Sequence, residues 1–216
     1  MIQAVTFDLW DTVLIDDTDE PKRAARGLLP KPAARLKLLS DEIARCYPEI
    51  GGAEIKEAFD EANARFNQAW KVEHHTPTVT ERFRVVFDLL GVSPTPGYPE
   101  VVREIEEMEV NVPPDFVPGV AEAIRELAGE FKLGVISDTI HTTGKGLRRL
   151  LDSQGILKYF RAFVFSDEVG ASKPKPLVFE RAAAELGVPF SELGCLYSRI
   201  THFEKKACRR GLSELC

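Results

Sequence analysis

The sequence predicts an α/β protein, a doubly wound parallel sheet with an α-helical domain inserted after its first strand. Three observations carry that reading. The chain opens on a short apolar run, Ile2, Ala4, Val5 and Phe7, that stops at Asp8. From about residue 20 to residue 112 the apolar residues recur at helical spacing. From residue 113 onward short apolar runs alternate with helical stretches, and strands separated by helices of that length pair in parallel with helices on both faces.

Taken in order, residues 2–8 read as the first strand, and the polar stretch Asp16-Asp17-Thr18-Asp19-Glu20 reads as a solvated linker. Ile55, Phe59, Ala62, Phe66 and Ala69 then fall at steps of four and three, which places them on one helix face. Phe83, Val86, Phe87 and Leu90 do the same, behind a capping box of Thr78 and Glu81 and ahead of Gly91 as a stop signal. These aromatic stripes read as core rather than as cofactor contacts. Residues 92–97 punctuate the helices, and Val112-Pro113-Pro114 returns the chain to the first domain. A helix carrying Val120, Ile124 and Leu127 leads to a strand at residues 133–136. A helix near residues 147–151 leads to a strand at 162–165, and a helix at 177–186, stopped by Gly187, leads to Cys195-Leu196-Tyr197. The chain therefore divides into an α/β core, residues 1–14 and 113–216, and a helical insert, residues 15–112. Ligands of such sheets bind beyond the carboxyl ends of the strands, and Asp8 stands at one of them.

A chain of 216 residues is long enough for one sizeable core and an inserted subdomain. Its 44% hydrophobic and 29% charged content is that of an ordinary globular protein. The net charge of -6 disfavours nucleic acid or an anionic membrane as the main partner. No apolar run approaches the ~18 residues that a bilayer span needs, and the start lacks a basic segment followed by a long apolar stretch. A cytoplasmic protein acting on a small-molecule substrate is the expectation, with no feature that fixes the oligomeric state. Cys46, Cys195, Cys208 and Cys216 contain no C-x-x-C pair, match no common zinc spacing with His202, and read as free thiols.

A carboxylate at the mouth of a buried strand can attack an electrophile and form a covalent intermediate; the plainer reading is an Asp that organises the following turn. Phe7-Asp8-Leu9-Trp10-Asp11-Thr12 resembles the first motif of the haloacid dehalogenase superfamily of hydrolases, in which the first Asp is the nucleophile. The resemblance implies the same role for Asp8. In the phosphatases of that superfamily a second Asp, two positions on, protonates the leaving group. Trp10 occupies that position here, as an aromatic residue often does in the dehalogenase branch. A departing halide needs no proton, whereas a departing alkoxide does.

Ser137-Asp138-Thr139, at the end of the next core strand, resembles the second motif, whose hydroxyl and backbone N–H groups hold an anionic substrate oxygen. A helix cap is the plainer reading of Ser137. Residues 165–176, which contain Lys173-Pro174-Lys175-Pro176, resemble the third motif, in which a lysine pairs with the nucleophile and the substrate anion. The match gives that role to Lys173, with Lys175 in reserve. The resemblance thus implies Asp8, Ser137 and Lys173 as the catalytic set and Trp10, Thr12, Asp138 and Thr139 as substrate contacts.

The resemblance also implies Mg²⁺, held by the Asp8 carboxylate and the backbone carbonyl of Trp10. The acids that complete that metal site in the family are missing, since residues 197–204 contain no Asp and their one carboxylate, Glu204, reads as the capping partner of Thr201. From Cys195 onward five Lys or Arg face two Glu, a balance of +3 that leaves -9 on the residues before it. This tail reads as strongly diverged or as the product of an altered reading frame or truncation. A helical cap in this family closes over the site and selects substrate. Trp10, His74, His75 and Arg82 are candidates for that task, against a plainer reading in which the histidines and Arg82 sit on a solvated helix start. The expected function is a hydrolase using Asp8 as covalent nucleophile, phosphatase-like on a small phosphomonoester. The alternatives are a 2-haloacid dehalogenase-like hydrolase and a catalytically impaired protein that keeps the fold.

Overall fold

The structure, a computed structural model, describes residues 1–196, so the readings of the tail, including Glu204 and His202, lie outside the described residues. The described chain runs β1 (Ala4–Phe7), β2 (Leu14–Ile15), α1 (Asp19–Ala25), α2 (Lys31–Cys46), α3 (Gly52–Lys71), α4 (Val79–Leu90), α5 (Tyr98–Glu106), α6 (Met108–Asn111), β3 (Asp115–Phe116), α7 (Val120–Leu127), β4 (Lys132–Ser137), α8 (Gly144–Ser153), β5 (Phe160–Phe165), α9 (Ser166–Val169), α10 (Pro176–Leu186) and β6 (Leu193–Leu196).

Four strands form a parallel sheet in the order β5-β4-β1-β6. Side chains alternate between the faces of a strand, and here both faces are apolar. Val5, Phe7, Leu133 and Val135 face one way and pack with Val120 and Ile124 of α7 and with Leu147, Leu150 and Leu151 of α8. Ala4, Ile136, Ala162 and Val164 face the other way and pack with Val178, Phe179, Ala182 and Leu186 of α10. Burial on both faces is what makes these strands read as continuous apolar runs rather than as alternating ones. Gly134 lets α10 lie close, because a Cβ there would stand 3.1 Å from Leu186 Cδ1 and 3.3 Å from Thr6 Cγ2.

Helices α2 to α5 build a second core. Phe59 and Phe83 stack at 5.4 Å, Phe87 meets Tyr98 edge-on at 4.9 Å, and Leu39, Ile43 and Ile55 close around them. The Thr78–Glu81 capping box forms as the sequence predicts, and Gly91 ends α4 in the left-handed region at φ 69°. Both aromatic stripes are core.

Two features depart from the sequence expectation. The neck of the helical insert is a short antiparallel ribbon of β2 and β3. Thr18 pins it by donating to the Ile15 carbonyl at 2.7 Å and accepting from the Asp115 N–H at 2.7 Å. Two-residue strands carry too little alternation to be seen in a sequence. The stretch 16–20 is also not a solvated linker throughout: Asp19 starts α1 and is fully buried, with a lysine twelve residues on as its partner.

Asp11 turns the chain after β1 in the left-handed region, at φ 56°. Gly, Asn and Asp tolerate that conformation, and a β-branched residue does not. Asp11→Gly is therefore expected to melt close to wild type, and Asp11→Val to lose about 1–2 kcal/mol more, read by thermal denaturation of both variants.

Candidate active site

Strand β1 stops at Phe7, and Asp8 is the first residue beyond it, its N–H donating to the Leu196 carbonyl of the neighbouring strand at 3.1 Å. The end of the sheet thus fixes the backbone of Asp8. Its carboxylate is held at both oxygens: Oδ1 accepts from the Leu9 N–H at 2.8 Å and Oδ2 meets Lys173 Nζ at 2.8 Å. Lys173 is itself fixed. Its N–H donates to Asp138 Oδ1 at 3.1 Å and its ammonium reaches the Ile136 carbonyl at 3.5 Å. Asp138 stands just past β4, and its second oxygen accepts from Trp70 Nε1 at 3.2 Å. Burial, more than any charge, raises the Asp138 carboxyl above its ordinary range, while Lys173 and the two donated hydrogen bonds pull it back.

Trp70 belongs to α3, so its bond to Asp138 ties the helical insert to the sheet. Nearby, Ser172 N–H donates to the His74 carbonyl at 3.0 Å and His75 Nδ1 lies 2.8 Å from the Gly170 carbonyl. The two histidines therefore dock the insert on the core and do not line the site. Arg82 is buried rather than solvated. Its guanidinium donates twice to Asn63 Oδ1, reaches the Ile140 carbonyl at 3.4 Å and lies 4.0 Å from the centre of the Phe66 ring. Burial and then the charge of Arg35 push it down to about 9.

Asp8 opens on a cleft of about 430 Å³ between sheet and helices, within the range of small-molecule sites. Trp10, Trp70, Asp138 and Lys173 line it near the nucleophile position; Asp16 and Asp17 line it from the turn after β2. Lys31 and Arg35 of α2, Glu109 of α6 and His141 and Thr142 after β4 complete the wall. Burial, then Arg35, Arg82 and Lys31, hold His141 well below the ordinary histidine range, so its imidazole is neutral at physiological pH.

Of the residues expected at the site, the structure brings Asp8, Trp10, Asp138 and Lys173 to one cleft. Ser137 is not on its lining; the residue is 1% exposed and its hydroxyl has no hydrogen-bond partner among the described residues. Nor does it cap a helix, since the cap of α8 is Thr143. Thr12 is also off the lining. Thr139 is used internally: its hydroxyl binds Ser166 and Asp167 and its N–H donates to Ser166 Oγ at 2.8 Å, which corrects its expected role as a substrate contact.

Of the residues expected to hold Mg²⁺, Asp8 and Trp10 line the cleft, and the stretch expected to complete the site, residues 197–204, lies outside the described residues. Among the described residues no group of three or more His, Cys, Asp or Glu side chains could hold a metal.

Sequence reading missed Lys31, Arg35, Glu109 and His141. A signal for the first two exists. Lys31, Arg35, Leu39 and Ile43 follow one another at steps of four, and all four are buried, so two cations continue an apolar stripe.

A family model for haloacid dehalogenase-like hydrolases matches residues 2–193. The chain belongs to that family. Among its relatives, the glyceraldehyde 3-phosphate phosphatase of Methanopyrus kandleri is 24% identical, the match covering 98% of this chain and 82% of that protein. Solved structures with the same fold include the 2-haloacid dehalogenase of Pseudomonas syringae pv. Tomato DC3000, at TM-score 0.56 and 24% identity over 90% of this chain and 77% of that one. The L-2-haloacid dehalogenase of Xanthobacter autotrophicus aligns at TM-score 0.52 and 18% identity, over 98% and 75%. This haloacid dehalogenase-like hydrolase is thus an enzyme of the family by sequence, and no helix among its described residues is long and apolar enough to cross a membrane.

Proposed function

We propose that this hydrolase cleaves a small phosphomonoester through a phosphoryl-Asp8 intermediate. The observation that carries the proposal is the Asp8 carboxylate, aimed by Lys173 and the Leu9 N–H, at a strand end that opens on a small cleft. One Asp8 oxygen attacks phosphorus, the bond from phosphorus to the alcohol oxygen breaks, and the departing alkoxide takes a proton. Water then attacks phosphorus of the acyl phosphate, releasing inorganic phosphate and restoring the Asp8 carboxylate. Lys173 offsets the charge gathered on phosphoryl oxygens and carboxylate.

With Trp10 in place of the usual acid, the proton comes from Asp16 in this reading. It lines the same cleft, and partial desolvation and then the charge of Asp17 raise its carboxyl above the ordinary range, which favours proton delivery. The same group takes the proton of the attacking water. Asp16→Asn is expected to lower kcat by ~10²-fold or more on an alkyl phosphate and far less on a nitrophenyl phosphate, whose leaving group needs no proton.

The likeness to a phosphatase over nearly the whole chain supports phosphate over halide as the leaving chemistry. Trp10 favours the second reading, release of halide from a 2-haloacid, because that step needs no acid at its position. Phosphate release from a series of two- and three-carbon phosphomonoesters, set against halide release from 2-chloropropionate, tests the choice. Phosphate release alone is expected; halide release alone establishes the second reading.

A further inference from the structure

The cleft is lined by three side-chain cations, and they differ in how they are paired. Lys173 meets Asp8 at 2.8 Å. Lys31 is enclosed by Asp19 at 2.8 Å, Glu109 at 2.9 Å and Asp17 at 3.2 Å. Arg35, one helical turn further along α2, is 8% exposed and forms neither a hydrogen bond nor an ion pair among the described residues; its Nε is fully enclosed and unpartnered. The charges of Glu109, Glu20 and Asp19 reach it and that of Arg23 opposes it, yet no carboxylate of the described residues lies within 4.0 Å of it. The charge of Arg35 also acts on a second buried guanidinium, Arg82, whose hydrogen bonds among the described residues go to the neutral Asn63 and a backbone carbonyl. Two buried guanidinium groups with no carboxylate in direct contact are costly, and an anion that joins them lowers that cost.

We propose that Arg35 forms a subsite for a second anionic group of the substrate, so that the molecule reacting at Asp8 carries phosphate at one end and a carboxylate or second phosphate at the other. This rests on the reading that a phosphoryl group reacts at Asp8. The transferring group has its own cation in Lys173, which leaves Arg35 to hold the far end, and a cleft of about 430 Å³ has room for more than a phosphoryl group. A planar guanidinium suits a carboxylate or phosphate through paired N–H donors, which a lysine cannot match.

Isothermal titration of the full chain with two phosphonates tests the subsite without turnover. Phosphonoacetate carries the second anion and ethylphosphonate, of similar size, does not. Wild type is expected to bind phosphonoacetate at least tenfold more tightly; Arg35→Met erases the preference and Arg35→Lys keeps part of it. Arg35→Met also removes an unpaired buried cation, so its melting temperature is expected to rise. Equal binding of the two phosphonates by wild type, or a preference that survives Arg35→Met, overturns the subsite. Phosphonates are not hydrolysed, so this outcome is separate from the phosphate- and halide-release assay: loss of turnover there with the preference intact here defeats the phosphatase reading and leaves the anion subsite standing.

Discussion

Asp8→Asn is expected to lower kcat by ~10⁴-fold or more while the protein stays folded, on the scale that loss of a covalent nucleophile costs a hydrolase. The amide keeps the size and one acceptor of the carboxylate, so Lys173 Nζ still finds an oxygen. Asp138 remains beside Lys173 as its counter-charge, and the repulsion between Asp8 and Asp138 disappears. Stability should therefore change by only about 1 kcal/mol. Steady-state turnover and thermal denaturation on the same preparation separate the two effects. Turnover within tenfold of wild type would mean that Asp8 does no covalent chemistry.

The largest stability effect is expected at Lys31. Its ammonium is 5% exposed and bound to Asp19, itself fully buried, and to Glu109, whose other oxygen accepts from Thr142. Lys31→Met leaves two buried carboxylates without a cation, which costs about 3–5 kcal/mol. For a chain of this size that corresponds to a melting temperature lower by roughly 10 °C. Adding Asp19→Asn and Glu109→Gln removes the stranded charges and is expected to restore most of the loss. The pH dependence has a defined sign. Burial opposes the Lys31 charge, but attraction to Glu109 and hydrogen bonds to Asp19 and Glu109 outweigh it and hold the ammonium above the usual 10.5. The pair's contribution is thus complete below pH 10.5 and is lost as pH rises through the higher folded-state value. The gap between wild type and Lys31→Met, measured by urea denaturation across that range, should narrow as the pH rises.

The sheet was legible in the sequence because its signals are local. Runs such as 133–136 and 162–165 are apolar throughout, and Gly91 and Gly187 stop α4 and α10 at left-handed positions. Asp8 and Lys173 were legible for a different reason, since each stands at or near a strand end inside a motif whose order along the chain is itself informative. The opposite wall of the cleft was not legible. Its members, Lys31, Arg35, Glu109 and His141, come from three separate segments that only packing brings together. Asp19 shows the cause: within a run of acids it looks solvated, and only the lysine twelve residues on explains its burial. Thr139 failed in the other direction, because its position in a motif says nothing of Ser166 and Asp167, which engage its hydroxyl.

The central claim is that Asp8 becomes phosphorylated during turnover. Rapid acid quenching of the full chain with a two- or three-carbon phosphomonoester, followed by mass spectrometry of its peptides, measures this directly. The account predicts a phosphoryl adduct on the peptide that carries Asp8, absent from Asp8→Asn. Turnover with an adduct on another residue, or with no adduct when hydrolysis of the intermediate is slowed by cooling, would contradict it.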